Sequence, residues 1–174
     1  MRLTKSITVA KPVDEVWELL GPNYTRAGDW ASSVYASRAR QGTPNVAVAP
    51  CAGRVCETSL GPFTETLERY DPAARHLAYS ATGDKMPGFV RSLRNAWTLE
   101  AAGPQKTRVR MEMSVDIAFP FSVLMGWLMR IQFNKVLQNS IEEFAHFAET
   151  GTPHPRKRKA DASAKAIAAR QAFA

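Results

Sequence analysis

The stretch from Pro120 to Gly151 restricts the fold of this chain more than any other. No other segment sustains a helical pattern for so long. Leu124, Leu128, Ile131, Leu137, Ile141, Phe144 and Ala148 recur at three- and four-residue steps, with one wider gap, the spacing of a one-sided apolar stripe. Pro120 and Ser122 suit the start of a helix, and Gly151 suits a left-handed stop. The second half is amphipathic, with Lys135, Gln138, Glu142, Glu143 and Glu149 expected on the wet side. The first half is not. From Phe119 to Phe133 almost every side chain is apolar, and Arg130 is the only charge. A helix that is apolar all round needs cover on several sides. The run is also shorter than the roughly 20 apolar residues that cross a bilayer. Other parts of the chain, or a ligand held by it, are therefore expected to surround this helix.

The residues before it offer a cover. Arg2 to Val9 has a short strand-like alternation. Lys11-Pro12 then opens a helix, since proline suits the first helical position, with Asp14 and Glu15 in the first turn where the helix dipole favours negative charge. Val13, Val16, Trp17 and Leu20 share its apolar face, and Gly21-Pro22 ends it. Asn23 to Gly28 suits a second short helix. From Ala31 to Ala118 the period is two, punctuated by Gly42-Thr43-Pro44, Gly61-Pro62, Asp71-Pro72, Gly83-Asp84, Pro87-Gly88 and Gly103-Pro104. Six strands are expected, at about 33–40, 53–60, 63–70, 76–82, 89–100 and 107–118. In the last, Val109, Met111, Met113, Val115 and Ile117 alternate with Arg108, Arg110, Glu112, Ser114 and Asp116, giving one dry and one wet face. The short turns suit antiparallel pairing. The expected fold is α+β: a curved antiparallel sheet of about seven strands, two short helices after the first strand, and the long helix laid on the dry face.

The charge is unevenly placed. The formal net charge is +7, of which residues 1–150 carry +2 and residues 151–174 carry +5. The basic character thus belongs mostly to the tail, and no nucleic-acid surface is expected on the folded part. Residues 1–150 are expected as one domain and 151–174 as a basic, alanine-rich extension whose helix would be marginal in isolation. Its Arg156 to Lys159 run suits weak contact with an anionic membrane, or nucleic-acid phosphates, or merely water. No apolar leader core follows Met1, so a cytoplasmic location and reduced Cys51 and Cys56 are expected. His76, His146 and His154 are too scattered in sequence to suggest a metal site. No phosphate loop, dinucleotide fingerprint or nucleophile elbow is present, and no cofactor is expected.

Period two also sorts candidate site residues. Phe63, Glu65, Leu67 and Arg69 share a face, as do Phe89, Arg91, Leu93, Asn95, Trp97 and Leu99. If the apolar members face inward, so do Glu65, Arg91 and Asn95. Such groups beside a dry interior are costly unless paired. Either Glu65 and Arg91 form a structural ion pair, or with Asn95 they orient the polar end of a ligand; in an enzyme Glu65 and Arg91 would be the catalytic candidates. Leu67, Phe89, Trp97, Met111, Met113, Leu124 and Leu128 complete the expected apolar wall, the methionines being pliable packing or adaptable ligand surface.

The element order, with Val16-Trp17-Glu18-Leu19-Leu20, Trp30, Glu65 with Leu67, Tyr70-Asp71-Pro72, Tyr79, Trp97-Thr98-Leu99 and Thr107-Arg108-Val109, resembles the START-related, birch-pollen-allergen-like superfamily (SRPBCC). The polyketide cyclase/dehydrase and lipid-transport-like branch is the nearest, over residues 1 to about 149. The resemblance implies a helix-grip fold with a hydrophobic cavity between sheet and long helix. It implies a hydrophobic small molecule as partner, a lipid or polyketide-like compound; alternatives are a polyketide cyclase, aromatase or dehydratase, or a protein-interaction module of the same fold. Related sequences often carry an arginine three positions after the glycine of the third strand. Here Cys56 stands there, with Arg54 two earlier.

Overall fold

Each turn signal falls where a strand ends. The computed structural model describes residues 1–173. In chain order it contains β1 (Arg2–Val9), α1 (Val13–Leu20), a 3-10 helix (Tyr24–Asp29), β2 (Val34–Ala39), β3 (Gly53–Thr58), β4 (Gly61–Asp71), β5 (His76–Gly83), β6 (Val90–Gly103), β7 (Lys106–Ile117), α2 (Phe121–Leu124), α3 (Gly126–Thr150), α4 (Pro155–Asp161) and α5 (Ala164–Phe173). The seven strands form one antiparallel sheet in the order β1-β7-β6-β5-β4-β3-β2. α3 packs on β1 and β7, and the fold is the expected helix-grip α+β arrangement.

Alternation builds the core. On β7, Val109, Met111, Met113 and Val115 are buried while Arg108, Arg110 and Asp116 are exposed. α1 turns Val16, Trp17 and Leu20 inward. From α3 come Leu137, Ile141, Phe144, Ala145 and Ala148. Phe144 sits edge-on to Trp30 at 5.2 Å and to Trp97 at 5.4 Å, so three aromatic rings close this end of the sandwich. Gly151, at φ 69°, ends the helix as expected.

The first half of the long helix departs from expectation. The helix is broken at Met125 into α2 and α3. Between Phe121 and Val136 only Met129 is buried. Val123, Leu124, Trp127 and Ile131 are exposed at 72%, 66%, 66% and 59%. The core stripe runs Met129, Phe133, Leu137, Ile141 at four-residue steps, and Leu128 and Ile131 lie off it. The wider gap between Ile131 and Leu137 marks the join of two stripes on different sides of the helix. Nothing in the described residues surrounds this half.

The tail departs too. α5 docks against β2 and β3, and α4 packs on α5, rather than extending freely. Lys157 is wholly buried and donates to the Val34 carbonyl and to Asp161, both at 2.7 Å. Arg156 bonds Glu142 at 2.7 Å and Glu143 at 2.9 Å, and Arg170 donates to the Tyr35 carbonyl at 2.9 Å. Glu143, expected on the wet side, is therefore buried, accepting also from the Ser32 backbone N–H and hydroxyl at 2.8 Å each. Of the four basic residues from Arg156 to Lys159, two are committed to internal partners, and Arg158 and Lys159 are exposed.

Candidate functional site

Where α3 turns from its buried second half to its bare first half, it stands off the sheet. A hollow of about 670 Å³ lies there, open to solvent. Its helix wall is Met129, Phe133 and Val136; its sheet wall includes Val90, Leu93, Trp97, Met111 and Met113. Lys85, Met86 and Pro87 flank one side, and Lys165 of α5 reaches another, donating to the Ser59 carbonyl. The tail therefore contributes to this rim.

The polar part of the lining is built by strand register. Gly53 has φ 150°, and a Cβ there would lie 2.0 Å from the Glu65 carbonyl oxygen, so only glycine permits the close approach of β3 to β4. That approach sets Arg54 opposite Glu65. The Arg54 Nε lies 2.7 Å from Glu65 Oε2, with both side chains about nine-tenths buried. The contact is an ion pair whose N–H points off the oxygen, leaving Nε without an aligned acceptor. Arg54 also donates from Nη1 to the Tyr24 carbonyl at 2.7 Å, and its guanidinium lies 4.3 Å from the centre of the Tyr24 ring. The Tyr24 hydroxyl donates to the same Glu65 Oε2 at 2.7 Å. Glu65 Oε1 makes no hydrogen bond among the described residues.

Burial, and then the Glu65 charge, push the Tyr24 hydroxyl well above its ordinary range, so it stays a donor. The Tyr79 hydroxyl is pushed up by the same two causes. Burial opposes the charge on Arg54, but the Glu65 carboxylate, joined by Tyr24, Cys56 and Tyr79, more than restores it. Burial raises the Cys56 thiol to about 12, so it stays protonated and weakly nucleophilic. Beside this network, Asn95 Oδ1 is buried with no hydrogen-bond partner among the described residues, and Asn95 lines the hollow. A buried carbonyl oxygen left unpaired costs about 1–3 kcal/mol, so this one awaits a donor.

The expected residues divide. Glu65, Asn95, Trp97, Met111 and Met113 meet at the hollow. Arg91 does not: the strand register shifts between Val90 and Ser92, so Val90 faces inward and Arg91 faces solvent. Phe89, just before β6, stacks on Phe121 at 4.7 Å instead of lining the hollow. Leu67 is buried in the core away from it, and Leu124 and Leu128 lie on the solvent side of the helix. Arg54 and the two tyrosines beside it were missed. The signal for Arg54 was present, since it shares the inner face of β3 with Cys56 by period two. A second hollow, of about 730 Å³, lies outside the sheet between the 3-10 helix, β2 and α5; Arg26, Asp29, Asp161 and Arg170 give it a paired, polar lining. Among the described residues no group of three or more His, Cys, Asp or Glu is placed to hold a metal ion, and no helix is long and apolar enough to cross a membrane.

Known structures share this architecture. A START superfamily protein from Mycobacterium smegmatis superposes with a TM-score of 0.63 at 11% identity, covering 83% of this chain and 97% of that one. A norcoclaurine synthase point mutant from Thalictrum, in complex with a transition-state analogue, superposes at 0.63 with 9% identity, covering 85% and 93%. The di-domain ARO/CYC protein BexL of the BE-7585A biosynthetic pathway superposes at 0.67 with 15% identity, covering 84% of this chain and 45% of that one. At these identities the likeness shows the fold alone. No curated protein sequence matches the chain. Residues 1–149 match the family described as polyketide cyclase / dehydrase and lipid transport, and the chain belongs to that family.

Proposed function

We propose that the protein binds a hydrophobic small molecule, lipid or polyketide-like, in the hollow between sheet and α3. The observation that carries the reading is the unpaired Asn95 Oδ1 beside the buried Arg54–Glu65 pair, set in an otherwise mostly apolar wall. Apolar burial supplies affinity at about 25 cal/mol per Å² before ordering costs. Asn95 and the free Glu65 Oε1 supply two acceptors for a hydroxyl or similar donor at the ligand's polar end. Native mass spectrometry of purified protein, before and after organic extraction, tests it. A co-purifying apolar mass is expected. Ala81→Phe, which fills the hollow from its wall, should abolish that mass, whereas Asn95→Leu should keep the volume, lose the acceptor and so weaken retention of hydroxyl-bearing ligands. An empty protein that also fails to take up anilinonaphthalene sulfonate would sink the reading.

A cyclase or dehydratase is the second reading. It is favoured by Glu65 Oε1, a carboxylate oxygen open to a substrate in the hollow, and by the family's description as polyketide cyclase / dehydrase. Glu65 would move a proton and the hollow would fold a flexible chain into a reactive conformer. Turnover of a polyketide-like substrate that vanishes in Glu65→Gln, with binding retained, distinguishes it from simple carriage. The interaction-module reading needs an interior filled by side chains, and the hollow stands against it.

A further inference from the structure

We infer that the bare first half of the long helix is a docking surface for an anionic lipid bilayer. The surface is large and contiguous along the chain. Phe119, Val123, Leu124, Trp127 and Ile131 are each more than half exposed, and Leu128 is 38% exposed. Monomeric proteins rarely leave such a run uncovered, and α2 with α3 holds it in a fixed shape. Scattered surface leucines would need no explanation; a helix end apolar on its outer side as well as its inner one does.

Charge selects the occupant. From Ile117 to Ile141 the chain carries no Asp or Glu, while Arg130 and Lys135 are both exposed. Lys135 follows Trp127 and Ile131 at four-residue steps, so it extends the apolar outer stripe with a cation. The whole chain carries +7. A second copy of the chain would bring these cations against their own counterparts with no acid in the run to pair them. An anionic bilayer instead offers apolar depth for Val123, Leu124 and Trp127 and phosphates for Arg130 and Lys135. Trp127, an aromatic ring with one polar N–H, suits the headgroup boundary. The run is too short to span, so it lies in the interface. Contact of this kind belongs to the helix, whereas the basic tail has Lys157 buried and Arg156 paired. The opposite side of the same helix walls the hollow, through Met129, Phe133 and Val136. The surface stands whether or not the hollow holds a ligand.

The test is co-sedimentation of the full chain with phosphatidylcholine vesicles containing about one third phosphatidylserine, and with vesicles of phosphatidylcholine alone. The protein should bind the anionic vesicles and bind the neutral ones far less. Of the four tryptophans, Trp17, Trp30 and Trp97 are buried and Trp127 is 66% exposed, so a blue shift on adding vesicles reports Trp127. Val123→Asp with Trp127→Asp should weaken sedimentation at least about tenfold. Arg130→Glu with Lys135→Glu should abolish the preference for anionic lipid while leaving the apolar residues in place. All four side chains are exposed, and unchanged far-ultraviolet dichroism and unfolding midpoint confirm folding. Failure of the wild-type chain to bind anionic vesicles overturns the inference, as does equal binding by the Val123→Asp, Trp127→Asp variant. A concentration-dependent dimer that this variant abolishes, with no vesicle binding, assigns the surface to a second copy and overturns it as well.

Discussion

The two halves of the C-terminal helix differ in apolar pattern and meet opposite fates: the more apolar half is the barer one. From Leu137 to Ala148 apolar residues recur on one side, and that side is buried against the sheet and the Trp30–Trp97 pair. From Phe121 to Val136 ten of sixteen residues are apolar and they fall on several sides of the helix, yet only Met129 is buried. The first case carries directional information, because polar residues mark the side that must stay wet. The second carries none, so hydrophobicity alone fixes neither rotation nor cover. The consequence is structural: the patterned half closes the sandwich, and the unpatterned half stands off it over a hollow with a polar patch. Substitutions should separate the closed end from the open end by size of effect.

The largest contrast is between two aromatic residues on this one helix. Phe144→Ala, at a fully buried ring between two tryptophans, should cost about 3–5 kcal/mol in chemical denaturation. Trp127→Ala, at a larger but exposed ring, should change stability by no more than about 0.5 kcal/mol. Equal losses would mean that the first half is covered after all.

At the open end, Glu65→Leu should cost about 3 kcal/mol, because it strands the Arg54 charge and the Tyr24 hydroxyl in the interior. Arg54→Met combined with Glu65→Leu should recover much of that loss in the same denaturation experiment, since no uncompensated charge remains. A double variant as unstable as the single one would show that Glu65 matters for contacts other than Arg54. At the closed end, Glu143→Ala should cost about 2–3 kcal/mol. It removes the acceptor shared by Ser32 and Arg156, and amide exchange should then accelerate across α4 before it does elsewhere.

The sequence made the sheet legible because each strand alternates and each turn carries glycine, proline or aspartate. It made Glu65 and Asn95 legible for the same reason: period two put them on the apolar face. It misplaced Arg91 because one extra residue in β6 reverses the alternation, and a bulge leaves no mark in composition. Arg54 was hidden by a comparison of positions rather than by physics; alternation alone aligns it with the buried Cys56. The tail was misjudged because a run of four cations reads as solvated, whereas Lys157 finds two oxygens and Arg156 two carboxylates only once β2 and α3 are in place. Tertiary partners of that kind have no local signature.

The smallest expected effect probes the clamp that the tail places on the closed end. His154 caps α4, its Nδ1 accepting the Arg156 backbone N–H at 3.1 Å, which requires a neutral ring nitrogen. Burial, then the Arg156 charge, holds the His154 imidazole below its ordinary value; the His146 ring, edge-on at 5.1 Å, pushes the same way, while Glu142 and Glu143 oppose. A depressed folded value means that the unfolded chain binds the proton more readily. The cap's contribution is therefore fully present above the ordinary histidine value of about 6.5 and is lost as pH falls through the lower folded value. Acidification should loosen α4, seen as lower amide protection factors at Arg156 and Lys157 once the intrinsic pH dependence of exchange is divided out, while α1 and the β6–β7 pair keep theirs. His154→Asn, which keeps a capping oxygen without titrating in this range, should flatten that dependence. If the protection factors in α4 stay constant through this window in the wild-type chain, the cap does not hold the tail, and the Arg156 bonds to Glu142 and Glu143 carry the clamp alone.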